Sequence, residues 1–375
     1  MSSSTRRFLA LDVFRGMTIA FMIIVNSPGS WAFAYDPLEH AAWHGFTPTD
    51  LVFPSFLFAV GAAMSYSMDK FKGHPSLEVT FHILKRTGLL FLLGFLMYWY
   101  PFFRVSDTLE ITSFPISETR ILGVLQRIAL CYGFAALSLW FLGQKVSYIL
   151  AGAGLFVYWG LMVAFGLPQD PFSLTGNAAL KVDLAVLGEA HLYHGEGIAF
   201  DPEGLLSTLP ALANVLAGYA LGRFLQRRGS AAETVVQILL AGAIACGLAL
   251  LWDQVFPINK KLWTSSFVLL TVGLDLVIIA ILLFFLPVNA RKNAWVSFFE
   301  PLGKNPLAVY LLSEILLVTF YLIPVQGTRL WPWVYEAVFQ PLGQDFGSFL
   351  MALSFMLLCW GFGYALDRKK IYWRV

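Results

Sequence analysis

Residues 9–26 read LALDVFRGMTIAFMIIVN and residues 51–68 read LVFPSFLFAVGAAMSYSM. Each is close to the run of about 20 apolar residues that crosses a bilayer core as a helix. Further blocks of this kind follow at 86–103, 121–141, 146–166, 205–224, 234–252, 262–286, 306–323 and 347–366. Backbone polar groups find no water in lipid, so such blocks take the form that satisfies its own hydrogen bonds. The pattern predicts an all-α, polytopic membrane helix bundle of ten transmembrane helices, forming one domain over 1–375. Composition agrees. Of 375 residues, 58% are hydrophobic and 13% charged, against about 25% charged in a soluble domain. The net charge of +2 is too small to indicate nucleic acid as a partner. Cys131, Cys246 and Cys359 each sit inside an apolar block without CxxC spacing, so they read as small hydrophobes.

Charge sets the orientation. With the N-terminus inside, seventeen of the 25 Lys and Arg fall in inside segments, Arg6, Arg7, Lys70, Lys85, Arg86, Arg291, Lys292, Lys304 and Arg374 among them. This bias places both termini in the cytoplasm. Asp12 and Arg15 interrupt the first block early, so it reads as a retained helix rather than a cleaved leader. Two outside segments are long, 27–50 and 167–204, and long loops beside a rigid scaffold are where function concentrates.

Ionisable residues within spans are costly and mark the bundle interior or a polar cavity. Asp12 and Arg15 share a helix face. With Arg127 they read either as a structural ion-pair network near the inner interface or as a site for an anionic ligand from the cytoplasm. Arginine suits phosphate through its planar fork of donors. At the opposite face, residues 38–54 read LEHAAWHGFTPTDLVFP. Asn26 ends the first block there, and His40, His44 and Asp50 follow. Histidine is a natural base near neutral pH, a carboxylate can fix its tautomer, and an amide can bind an oxyanion. Trp43 and His44 flank this group as candidates to bind substrate. The His40, His44 spacing could serve a metal, but the ligand set is incomplete and no metal is expected.

These residues resemble a known family. LDVFRGMTIAFMIIVN followed by HAAWHGFTPTDLVFPSFLFAVG is similar to the catalytic region of the heparan-α-glucosaminide N-acetyltransferases, which are transmembrane acyltransferases. GVLQRIALCY at 123–132, FDPEGLLSTL at 200–209, PINKKLW at 257–263 and GKNPLAVYLLSE at 303–314 continue the match. The resemblance implies that acetyl-CoA, taken from the cytoplasm, acetylates the amine of glucosamine or a related amino sugar at the outer face. It places the active histidine on His40, with Asn26 and Asp50 beside it. His44 departs from the lysosomal form, which has asparagine there. Arg15 and Arg127 are then the candidates to hold CoA phosphates. Asp201 and Glu203 are candidates for the sugar hydroxyls, or else acids favoured at a helix start. Lys260 and Lys261 read as loop charges. A bacterial plasma membrane location and a homodimer also follow from the resemblance. The rival reading is an amino-sugar transporter without acyl transfer, with Asp275, Asn305 and Glu314 along its path.

Overall fold

The structure is a computed structural model that describes residues 9–105, 110–286 and 293–373. Arg6, Arg7, Arg291, Lys292 and Arg374, which entered the charge argument, lie outside the described residues. The helices are α1 (Leu9–Asn26), α2 (Val52–Ser67), α3 (Ser76–Trp99), α4 (Val124–Phe141), α5 (Gly143–Phe165), α6 (Ala178–Val186), α7 (Thr208–Arg228), α8 (Ala232–Asp253), α9 (Ser265–Phe285), α10 (Ala294–Lys304), α11 (Pro306–Leu322), α12 (Leu330–Val334) and α13 (Gln344–Arg368). Two short antiparallel strand pairs and several 3-10 or π-helical turns accompany them. β1 (Phe103–Val105) pairs with β2 (Ile111–Ser113), and β3 (Pro324–Val325) with β4 (Thr328–Arg329).

Eight described helices are long and apolar enough to cross a membrane: α1, α2 with its flanking 3-10 turns, α3, α4, α5, α8, α9 and α13. The other two predicted spans take different forms. The 306–323 block is α11, but α10 precedes it and the two helices bend by 79° at a short break. Residues 294–304 had been expected in an inside loop. They form an amphipathic helix that carries Pro301 and packs on α1. The 205–224 block is α7, whose last turns carry Arg223, Arg227 and Arg228 and which lies along α2. Helix α3 begins at Ser76, so Lys85 and Arg86 belong to a helix rather than to a loop.

Burial separates an inner set of helices from an outer one. The most apolar windows of α1 and α2 are 67% buried, whereas those of α3, α5 and α8 are 22% buried. An apolar helix left mostly uncovered by protein is suited to lipid contact. Together with the family shown below, this makes the chain an integral membrane protein.

Two backbone contacts fix the inner set. A Cβ on Gly61 of α2 would collide with the Val215 carbonyl of α7, and one on Gly218 of α7 with the Phe58 carbonyl of α2. The same reciprocity holds between Gly16 of α1 and the Phe299 carbonyl of α10, and between Gly303 and the Asp12 carbonyl. Small residues at these crossings let the helix backbones touch.

The start of α1 and the last described residues meet at one end of the bundle. Arg15 Nη1 donates to the Gly303 carbonyl at 3.0 Å, and Lys304 pairs with Glu300 at 3.0 Å and Asp367 at 2.9 Å. The backbone N–H of Trp373 donates to Asn305 Oδ1 at 3.2 Å. The substitution Gly218→Val drives a branched side chain into α2. It should destabilise the protein by about 2 kcal/mol or more, as overpacking does, and thermal unfolding in detergent measures the loss.

Candidate active site

The segment 27–50 is pinned at several points. The N–H of Gly29 donates to the Ser348 carbonyl, and Ser348 Oγ exchanges hydrogen bonds with the backbone of Ser30. Trp331 Nε1 donates to the Pro28 carbonyl. Farther along, the N–H of Gly45 donates to the Ile258 carbonyl at 2.8 Å. These bonds tie the segment to α12, α13 and the 257–264 turn.

Asp50 lies in a 3-10 turn, Pro48–Leu51, that leads into α2. Its Oδ2 accepts from the N–H of Thr47 at 2.9 Å and of Ala41 at 3.2 Å, and from Thr47 Oγ1. Its Oδ1 lies 2.7 Å from His40 Nδ1. An ionised carboxylate only accepts, so Nδ1 carries the proton and Nε2 carries the lone pair. The Asp50 side chain is 1% exposed and the His40 side chain 39%, so the carboxylate is buried and the imidazole opens outward. Lys260 Nζ lies 3.2 Å from His40 Nε2. Burial and the Lys260 charge lower the His40 pKa below its ordinary 6.5, outweighing the opposing pull of Asp50 and Glu203. Neutral imidazole is therefore the favoured state.

The remaining expected residues divide between the two ends. His44 does not converge with His40: its Nδ1 faces Asn259 Nδ2 at 3.3 Å. Trp43 donates to the Phe172 carbonyl at 2.8 Å and stacks edge-on against Phe200, joining the two long segments. Asn26 ends α1, and no hydrogen bond joins it to His40 or Asp50 among the described residues. Asp201 and Glu203 share one partner. Arg120 forms a fork on Asp201 at 2.9 and 2.6 Å and reaches Glu203 at 2.6 Å. Burial raises the Glu203 pKa, but Arg120, followed by Lys260 and Arg127, more than reverses this and keeps it ionised.

Arg127 was grouped with Arg15, and the structure separates them. Arg127 is one turn into α4 and donates to the Gly204 carbonyl and Ser207 Oγ, with its guanidinium 4.8 Å from the Trp263 ring centroid. It belongs to the His40 end. Arg15 lies at the end where the chain's first and last described residues meet. There a cavity of about 570 Å³ opens, lined by Asp12, Arg15, Tyr66, Lys70, Arg86, Lys304, Tyr372 and Trp373. Its lining continues along α2 to Phe56 and reaches Leu125 and Ile128 of α4. From Phe56 to Ser67 is about 16 Å of helix rise, so the cavity runs from the cationic end to within a turn of Arg127.

Three participants were not expected at the site. Lys260 and Lys261 read as loop charges, yet Lys260 meets His40, while Lys261 donates to the Ala42 carbonyl at 2.9 Å and pairs with Glu196 at 2.6 Å. Arg120 was not among the candidate residues. The PINKKLW run was the one available signal for the lysines. Nothing in the sequence paired Arg120 with residues 81 and 83 positions away.

Residues 7–252 match the family model described as heparan-alpha-glucosaminide N-acetyltransferase, catalytic. Heparan-alpha-glucosaminide N-acetyltransferase of Mus musculus is 27% identical over 431 aligned residues, covering 100% of this chain and 61% of that relative. The Homo sapiens protein of the same name is 26% identical over 435, with the same coverage. The chain thus spans 61% of the length of these curated relatives. With a family match over well over half its length, the chain belongs to the heparan-alpha-glucosaminide N-acetyltransferase catalytic family, a family of N-acetyltransferases.

Proposed function

We propose that the protein transfers acetyl from acetyl-CoA to the amine of glucosamine or a related amino sugar. In this reading the donor enters from the cytoplasm, and the acceptor arrives at the outer face of a bacterial plasma membrane. The observation that carries the reading is the His40–Asp50 pair at one end of the bundle, opposite a cation-lined cavity that runs toward it.

The cavity suits a polyanionic nucleotide at its mouth and a thin arm above. Arg15, Lys70, Arg86 and Lys304 would hold the phosphates. Arg86 Nε is a buried donor without a partner among the described residues, and its guanidinium rests 4.5 Å from the Tyr132 ring centroid. The apolar lining of Ala59, Val60, Ala63, Leu125 and Ile128 accommodates the arm. Arg127 lies at the other end, on Gly204, Ser207 and Trp263, and takes no part in phosphate binding here.

At that end, His40 Nε2 takes the proton from the sugar ammonium, and Asp50 fixes the imidazole tautomer and balances the imidazolium that forms. The neutral amine attacks the thioester carbon. Asn26 ends α1, and in this reading its amide N–H meets the oxyanion. The proton on His40 then goes to the departing thiolate, and the surplus proton on the new amide nitrogen goes to water. Asp201 and Glu203 keep one face of the acceptor site anionic, which favours an ammonium substrate.

Purified protein in detergent should release CoA when given acetyl-CoA and glucosamine. His40→Ala should lower kcat/KM by about 10²- to 10⁴-fold, the range for loss of a general base. Sugar flux into liposomes without acetylation would overturn the reading in favour of transport. The base must be neutral, and its pKa lies below 6.5. Activity should therefore persist as pH falls through 6.5 and decline only at lower pH, which the acid limb of the kcat/KM profile measures. Arg86→Ala should raise KM for acetyl-CoA by about tenfold with little change in kcat, the pattern for binding shared by ground and transition states.

A further inference from the structure

An acceptor amine must bring its nitrogen against His40 Nε2. One nitrogen of the protein is already there. Lys260 Nζ stands 3.2 Å from Nε2, at the lone pair left open when Asp50 takes Nδ1. No carboxylate pairs with Lys260 among the described residues, whereas its neighbour Lys261 is held by Glu196 and the Ala42 carbonyl.

The backbone that presents Lys260 is fixed. The N–H of Ile258 donates to Asp253 Oδ1 at 2.6 Å, and that of Asn259 to Thr264 Oγ1 at 3.0 Å. The N–H of Leu262 donates to Asn259 Oδ1 at 2.8 Å, and that of Trp263 to the Lys260 carbonyl at 3.1 Å. Tyr158 Oη donates to the Leu262 carbonyl at 2.5 Å. Trp263 takes the left-handed conformation, φ 54°, and Gly45 ties the turn to the segment that carries His40. The lysine and the histidine are thus anchored to each other as well as pointed at each other.

We propose that Lys260 is an internal acceptor: with acetyl-CoA bound and no amino sugar present, the enzyme acetylates Lys260 Nζ through His40. The inference rests on the acetyl-transfer reading of His40. The Lys260 ammonium gives one proton to Nε2. The neutral Nζ forms a C–N bond to the thioester carbon as the C–S bond breaks. The thiolate takes the proton from Nε2 and leaves as CoA, and the surplus proton on the new amide nitrogen goes to water. Burial lowers the Lys260 pKa against the opposing pull of Glu203 and Asp50, which enlarges the fraction of free amine. The product carries no charge and occupies the position an external amine needs, so the modified enzyme is closed to acceptor.

The full-length protein in detergent is incubated with acetyl-CoA without sugar, and acetylated lysines are located by peptide mass spectrometry. Acetyl on Lys260 should exceed that on Lys261 by about tenfold or more, because proximity to the base acts on one amine alone. It should be lost in His40→Ala and in His40→Gln, each checked for folding by size exclusion, and suppressed by glucosamine. Lys260 unmodified, or labelled no faster than Lys261, in protein that acetylates glucosamine through His40 overturns the proposal. If acetyl-CoA yields no CoA even with glucosamine, the acetyl-transfer reading has failed, and p-nitrophenyl acetate replaces it as donor. Labelling of Lys260 that depends on His40 then supports the internal acceptor, and absence of that preference overturns it.

Discussion

Asp50 is the point on which the outer end of the bundle turns. One carboxylate with almost no solvent exposure accepts from Thr47, Ala41 and His40. A buried carboxylate without donors would be expensive, and this one is satisfied by the loop that precedes it. The same hydrogen bonds hold the entry to α2, close the segment 41–47 into a compact turn and orient the imidazole. Removing the carboxylate would release all three features together. Local folding and candidate chemistry therefore share one set of contacts here, and the site needs no separate scaffold.

That arrangement depends in turn on α2 being held at a fixed depth. The glycine crossings supply this constraint. Gly61 and Gly218 let the α2 and α7 backbones meet directly, and Gly16 and Gly303 do the same for α1 and α10. In lipid the hydrophobic effect contributes little to helix association, so such close packing carries much of it. Helix α7 also positions the residues before its start, where Asp201 and Glu203 share Arg120 and where Gly204 and Ser207 hold Arg127. A shift of α7 against α2 would move this charged cluster relative to His40.

The spans were largely legible because about 20 apolar residues form a signal that needs no partner to interpret it. Block 9–26 coincides with α1 and block 306–323 nearly with α11. Helix α10 was not legible. It is eleven residues long, carries a proline and a charged last turn, and gains its stability by packing on α1. The His40–Asp50 pair could be expected because ten residues and a turn separate its members. The placement of Arg127 could not be read, because a lone arginine in a span does not reveal its depth or its partner. The contact between Lys260 and His40 spans 220 positions, and only the folded bundle brings them together.

The two ends of the bundle differ in charge in a way that bears on the proposed reaction. Arg15, Lys70, Arg86 and Lys304 surround one mouth. Asp50, Asp201 and Glu203 gather toward the other, with Arg120 and Arg127 partly offsetting them. A nucleotide donor is anionic and an amino sugar is cationic, so each would be drawn to the end of opposite sign and repelled from the other. Such sorting would let one continuous path serve two substrates without a mobile barrier between them. Lys260 is a further cation at this end, and it stands at the reacting histidine. With burial, its charge favours neutral His40, and its length brings an amine to Nε2. An arriving sugar must therefore displace it, and the strength of the anionic cluster around it sets how readily that exchange occurs.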